Sequence, residues 1–289
     1  MKSVKRICLG LACITIALGI ILVIFAWSFG GNRIYGASDN NYELEDTVEE
    51  ITSMEIDVSY GTVKIVTGDK FHVKITNMPK NGYKSYVKDN TWIIEEDEDS
   101  DYLVEIFGFK IPVFSFGLGL DYSSDNAPKI IVTIPEGFHA QELIFDLDAG
   151  LLTANSLSGD KVELTVDAGK MEIDELIANT YVELTCGAGD LEVKRATVNN
   201  ANVDCGLGRI RIKGSILGDS YVTCGVGDVS LDLDGNEEDY NYSIDCGIGH
   251  VIINDRSYSG TIDKTVRNNN AIGSFELDCG VGRIELIIK

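Results

Sequence analysis

A ten-residue pattern recurs eight times along the chain, and no other feature restricts its folding as tightly. The copies are IDVSYGTVKI from Ile56, FDLDAGLLTA from Phe145, LTVDAGKMEI from Leu164, LTCGAGDLEV from Leu184, VDCGLGRIRI from Val203, VTCGVGDVSL from Val222, IDCGIGHVII from Ile244 and LDCGVGRIEL from Leu277. Aligned on their last shared glycine (Gly61, Gly150, Gly169, Gly189, Gly208, Gly227, Gly249, Gly282), the steps from Gly150 onward are 19, 20, 19, 19, 22 and 33 residues. A period near twenty marks a solenoid, whose repeats bury their apolar faces only by stacking on one another. The 33-residue step leaves room for a loop or an extra coil.

Within a copy the apolar residues alternate, as in a half-buried strand. In VDCGLGRIRI, Val203, Cys205 and Leu207 share one parity, and Ile210 and Ile212 share the other. A change of phase at Gly208 lets a strand turn a corner while keeping its core face inward, and glycine supplies the permissive backbone. Val, Ile and Thr dominate the repeats, and no helical spacing of apolar residues is sustained beyond the N-terminal segment. The expected fold is all-β: a single-stranded parallel β-solenoid of about 20-residue coils, preceded by one N-terminal transmembrane helix.

Stacking turns equivalent positions into columns one strand spacing apart. The outward position after the corner reads Lys170, Asp190, Arg209, Asp228, His250, Arg283 in chain order, which suits lateral ion pairs. The outward position before the cysteine reads Asp57, Asp146, Thr165, Thr185, Asp204, Thr223, Asp245, Asp278. Such an aspartate row is either a solvated strand face or a calcium or acid-base site, and the absence of the glycine-rich calcium-binding nonapeptide favours the solvated face.

Cys186, Cys205, Cys224, Cys246 and Cys279 fall in one column that Val58, Leu147 and Val166 complete. That position demands a buried apolar side chain, and cysteine fits as a small soft hydrophobe in a structural core column. Spacings of 19, 19, 22 and 33 residues do not match structural zinc sites. Parallel register points the thiols the same way, so free core thiols are expected.

The segment before the repeats is membrane-related. Lys2, Lys5 and Arg6 form a basic tail (1–6), and residues 7–29 carry no charge over a length that spans a bilayer. The basic flank stays cytoplasmic, placing the remainder outside as a single-pass plasma membrane protein. Residues 30–46 read as a tether and 47–289 as the solenoid ectodomain, with regular coils from about 141. The net charge of −22 lacks the basic footprint of nucleic-acid binding.

Two stretches interrupt the first half. WIIEEDEDSD (92–101) ends in an acidic run that reads as a solvated loop. YLVEIFGFKIPVFSFGLGL (102–120) is the most apolar segment outside the anchor, and is either a buried cap on the solenoid end or an exposed surface presenting Phe107, Phe109, Phe114 and Phe116 to a partner. The last copy ends at Lys289 with no evident cap.

The N-terminal anchor, the short tether, the Ile134–Gly137 turn (IPEG) and the repeated coils resemble the toastrack family of bacterial adhesin-like proteins. The resemblance implies a surface module of the envelope, of the kind found in Gram-positive stress-response membrane proteins, and it brings no catalytic residues with it. The expected function is a non-enzymatic interaction module whose partners are the membrane, through the N-terminal helix, and an envelope component or protein. No cofactor and no metal site are expected. A carbohydrate-active β-helix enzyme and a calcium-dependent adhesion module are the alternatives. His72, His139 and His250 stand on separate segments with no Ser-His-Asp spacing, and Trp27 and Trp92 are the only tryptophans.

Overall fold

A computed structural model describes residues 40–43, 50–77, 82–97, 103–106, 109–112 and 128–289. The proposed anchor and most of the tether, with Phe107, Phe114 and Phe116, lie outside the described residues. Among the described residues, no helix is long and apolar enough to cross a membrane.

The architecture is a stack of parallel coils, each built from one strand before a corner and one after it. Ser53–Gly68 runs through the corner as one long strand and pairs in register with Ala140–Ala154, so that Gly61 lies on Gly150. The next coils are Leu157–Val166 with Lys170–Ile173, Leu176–Cys186 with Asp190–Asn199, Ala201–Cys205 with Arg209–Leu217, and Asp219–Cys224 with Asp228–Leu233. A short third face joins Leu157–Gly159, Leu176–Ala178 and Ala196–Val198. Inward residues such as Val182, Leu184, Leu191 and Val193 are fully buried, while their neighbours Glu183, Thr185 and Glu192 face solvent.

Chain order and spatial order part company at both ends. Gly273–Cys279 and Arg283–Ile288 insert beside Asp219–Cys224 and Asp228–Leu233, and Tyr240–Cys246 with His250–Ile253 stack outside them. The last coil in sequence is therefore second to last in space, and Lys289 is not a bare edge. The true end is covered by antiparallel strands, Ile262–Val266 on one face and Arg256–Ser259 on the other. Most of the 33-residue step is this cap and its return.

The N-terminal end mirrors the arrangement. Thr91–Glu96 and Lys129–Pro135 form a coil outside Ser53–Gly68, and antiparallel Tyr83–Lys88 and His72–Thr76 close it. Asn40–Glu43 adds a further antiparallel strand to His72–Thr76. Trp92 is completely buried in this coil, donating its indole N–H to Ser85 Oγ at 2.9 Å and meeting Phe71 edge-on at 5.4 Å. The chain between Asp97 and Pro128 departs where the other coils make their short corner, and it contains the antiparallel pair Leu103–Ile106 and Phe109–Pro112.

The corner explains the glycines differently from the sequence reading. Gly61 and Gly150 do take positive φ (145° and 139°), but no left-handed φ occurs at Gly169, Gly189, Gly208, Gly227, Gly249 or Gly282. Those six are required by close approach. A Cβ on Gly208 would stand 2.3 Å from the Gly189 carbonyl oxygen and 2.7 Å from Cys186 Sγ, and a Cβ on Gly227 would stand 2.4 Å from the Gly208 oxygen and 2.7 Å from Cys205 Sγ. Each of the six thus rests on the backbone of the adjoining coil, and Gly208, Gly227, Gly249 and Gly282 rest on its thiol as well. Leu207 also departs from its expected inward parity: the strand stops at Cys205, and Leu207 turns outward with 68% of its surface exposed.

The five cysteines of the core column are completely buried and unbridged. Their spatial order is Cys186, Cys205, Cys224, Cys279, Cys246, because the two terminal coils are interchanged. Burial pushes the Cys279 thiol up to about 11, and hydrogen bonding with the Cys186 and Cys224 thiols pushes Cys205 up as well.

Two outcomes are expected. Gly208→Ala lowers stability by about 3 kcal/mol or more in denaturant titration, since a carbonyl fixed in the ladder cannot yield, while Leu207→Ala stays within about 0.5 kcal/mol. Alkylating reagent leaves the five thiols of the native ectodomain unmodified, and all five react after unfolding without reductant; protection of two or four would reveal bridges.

Candidate interaction surface

The outward side of the corner is the most distinctive exposed feature. The residue before the last corner glycine forms its own column, in spatial order Tyr60, Ala149, Ala168, Ala188, Leu207, Val226, Val281, Ile248. Backbone hydrogen bonds hold this column in register: Leu207 N donates to Gly187 O at 2.7 Å, Val226 N to Gly206 O at 2.8 Å, Val281 N to Gly225 O at 2.7 Å and Ile248 N to Gly280 O at 2.8 Å. The last four side chains are 68%, 57%, 56% and 78% exposed, a continuous apolar line that nothing covers among the described residues.

Beside this ridge runs the charged column, whose spatial order is Lys170, Asp190, Arg209, Asp228, Arg283, His250. Interchanging the last two coils completes the alternation of sign that chain order broke. The expected lateral ion pairs form only in part. Arg209 approaches Asp190 at 3.9 Å, but Asp190 is held more closely by Arg211 at 3.2 Å, and Lys170 and Arg283 turn to Glu172 and Glu285 on their own strands. These exposed pairs each contribute a fraction of a kcal/mol.

The aspartate row gathers at both ends of the stack: Asp278, Asp245 and Asp263 are register partners at the C-terminal end, and a larger acidic cluster forms at the N-terminal end. Asp57 and Asp146 are directly paired, with Asp148, Asp167 and Glu96 nearby. Burial and then the neighbouring Asp57, Asp148 and Asp167 charges push Asp146 up to about 6, and its Oδ1 is buried with no hydrogen-bond partner. Burial also raises Glu96, against hydrogen bonds from Tyr83 Oη (2.8 Å) and Ser59 Oγ (3.0 Å). Among the described residues, no group of three His, Cys, Asp or Glu side chains is placed to hold a metal ion.

Folding also assembles a group that spacing did not reveal. His139 Nδ1 lies 2.7 Å from Ser158 Oγ, and Nε2 lies 3.1 Å from Asp160 Oδ1 and 3.2 Å from Asn179 Nδ2. These residues come from three successive coils through the third face, and the 19- to 40-residue separations gave no motif to read. The hydrogen bond from His139 holds the Asp160 carboxyl below its usual range. The His139 and Asp160 side chains are 37% and 50% exposed on an outer face, so the group ties coils together under water's screening. Trp92, the tryptophan available to an enzyme reading, is buried and cannot stack on a sugar.

The stacked coils, the corner and the outward columns define an all-β repeat protein. The Toastrack DUF4097 family model matches residues 51–265, and the chain belongs to that family. Similar solved structures include a "putative adhesin" from Bacteroides fragilis (17% identity, 87% of this chain and 97% of that chain, TM-score 0.43). Others are a "putative cell adhesion protein" from Clostridium sporogenes (15%, 88% and 100%, TM-score 0.34) and a "putative lipid binding protein" from Parabacteroides distasonis (10%, 88% and 97%, TM-score 0.44). A comparison with curated proteins gives no match.

The raised Asp146 value fixes the sign of a pH effect. Its folded value near 6 lies above the unfolded value of about 3.9, so the native state binds the extra proton and stability falls as pH rises from about 4 through 6. Asp146→Asn should therefore unfold at a higher temperature than the wild type at pH 7.5, with the difference vanishing near pH 4.

Proposed function

We propose that the protein is a membrane-anchored, extracellular, non-enzymatic interaction module that presents the corner of its solenoid to a partner at the cell envelope. The observation that carries this reading is the unbroken apolar line of Leu207, Val226, Val281 and Ile248, since exposed contiguous apolar surface marks a contact site. The uncharged run 7–29 behind a basic flank supports anchoring with the N-terminus cytoplasmic, and the polar tether supports display away from the membrane. The adhesion-related names of similar structures agree with such a role. The apolar segment 102–120, with Phe107, Phe109, Phe114 and Phe116, is a second candidate partner surface by its composition. The antiparallel strands His72–Thr76 and Tyr83–Lys88 at the solenoid end support reading that segment as a surface rather than a cap.

Protease treatment of intact cells should shave a C-terminal epitope tag while the chain keeps its full-length mass beforehand; an inaccessible tag would refute surface display. Crosslinking in intact cells followed by mass spectrometry should place the corner at the crosslinked contact, and Leu207→Ser with Ile248→Ser should reduce the yield by about tenfold without lowering Tm.

A further inference from the structure

The corner carries an order along the stack, and that order is self-complementary. Over the six coils from Ala168, the ridge is small at Ala168 and Ala188 and larger at Leu207, Val226, Val281 and Ile248, from the N-terminal toward the C-terminal side of the array; Ala149 and Tyr60 continue the column beyond Ala168. Consider a second copy laid against the ridge with its stack direction reversed, by a two-fold axis lying in the contact plane between the Leu207 and Val226 coils. Such an axis returns each column to itself in reverse. Leu207 then meets Val226 of the other copy, Ala188 meets Val281, and Ala168 meets Ile248, so each of these two alanines faces a larger side chain and the two central residues are of similar size.

The flanking columns obey the same operation. After the corner, Arg209 faces Asp228 of the other copy, Asp190 faces Arg283, and Lys170 faces His250. Before the corner, Asp204 faces Thr223, Thr185 faces Asp278, and Thr165 faces Asp245. No two acidic side chains, and no two Lys or Arg side chains, oppose in any of these nine contacts, in a chain whose net charge is −22. A parallel pairing would instead set Ala168 and Ala188 against themselves while Ile248 met Ile248, opening a gap at one end.

We propose that the partner of this corner is a second copy of the same chain, joined antiparallel through a two-fold axis between the Leu207 and Val226 coils. The inference rests on the corner being a contact surface, as proposed above, and adds the identity of the partner. Six positions at about 4.8 Å make a contact about 25 Å long, which is small for a stable dimer and suits weak association strengthened by display at a surface. Together with the proposed anchor, antiparallel pairing places the two tethers at opposite ends of the joined stacks, the geometry of a contact between two facing surfaces.

The test uses full-length protein in detergent at about 0.15 M salt, where only short-range pairs survive screening. Asp190→Arg alone sets arginine against Arg283 of its mate, and Arg283→Asp alone sets aspartate against Asp190. Each variant should sediment as a monomer at about 100 µM, where the wild type sediments as a dimer, and an equimolar mixture of the two should restore the dimer. Within a chain these residues sit three coils apart, so the rescue cannot arise inside one molecule. As a second route, Leu207→Lys at its exposed position should abolish association with Tm unchanged. A monomeric wild type, association unaffected by Leu207→Lys, or a mixture that stays monomeric would each overturn the proposal. Corner variants that lose crosslinking in cells although the purified wild type is monomeric would leave the contact-surface reading standing and refute only the self-pairing.

Discussion

The close approach of backbone to backbone at the corner is the constraint on which the rest of the structure depends. Successive coils meet there with no room for a Cβ, the carbonyl of one glycine lying within 2.4 Å of where a side chain on Gly189, Gly208 or Gly227 would begin. That contact sets the register of every strand on both sides, because a slip of one residue would drive a side chain into the ladder and turn the core face outward. The thiol column belongs to the same constraint. Cys186 and Cys205 lie directly against Gly208 and Gly227, so the small soft side chain and the missing one are two halves of a single packing unit.

Strict register has a consequence on the outside. Whatever lies in one coil at a given position lies beside its equivalents, so a chance apolar residue becomes a line and a lone aspartate becomes a row. At the corner this yields the exposed ridge; at the N-terminal end it packs Asp57, Asp146 and Asp148 closely enough to raise Asp146 to about 6. Ion pairs respond to the same geometry less strictly, since long side chains reach along their own strand as readily as across it, as Lys170 does toward Glu172.

Both ends of the array solve the edge problem in the same way. The outermost coil is not the terminal coil in sequence, and its open hydrogen-bonding groups are taken up by antiparallel strands, His72–Thr76 and Tyr83–Lys88 at one end and Arg256–Ser259 and Ile262–Val266 at the other. An antiparallel strand ends the parallel ladder, and these strands are short and bear charges such as Asp263 and Lys264 or Lys84 and Lys88, which makes their outer edge a poor template for an incoming chain. The contact proposed above falls instead on the side of the stack, where the ridge lies.

Much of this was legible in the sequence because stacking leaves a periodic trace: glycine every nineteen or twenty residues, alternation on either side of it, and a cysteine column shared with Val and Leu. These determined the strands, the corner and the buried thiols. Periodicity is blind to spatial order, however, and only the tertiary structure interchanged the last two coils, since identical corner motifs stack equally well in either order and the connecting segments decide between them. It likewise turned Leu207 outward, because alternation counts residues while a corner of two glycines rotates the chain between them. His139, Ser158 and Asp160 came together for the same reason: their proximity is created by coil stacking, across which sequence distance carries no signal.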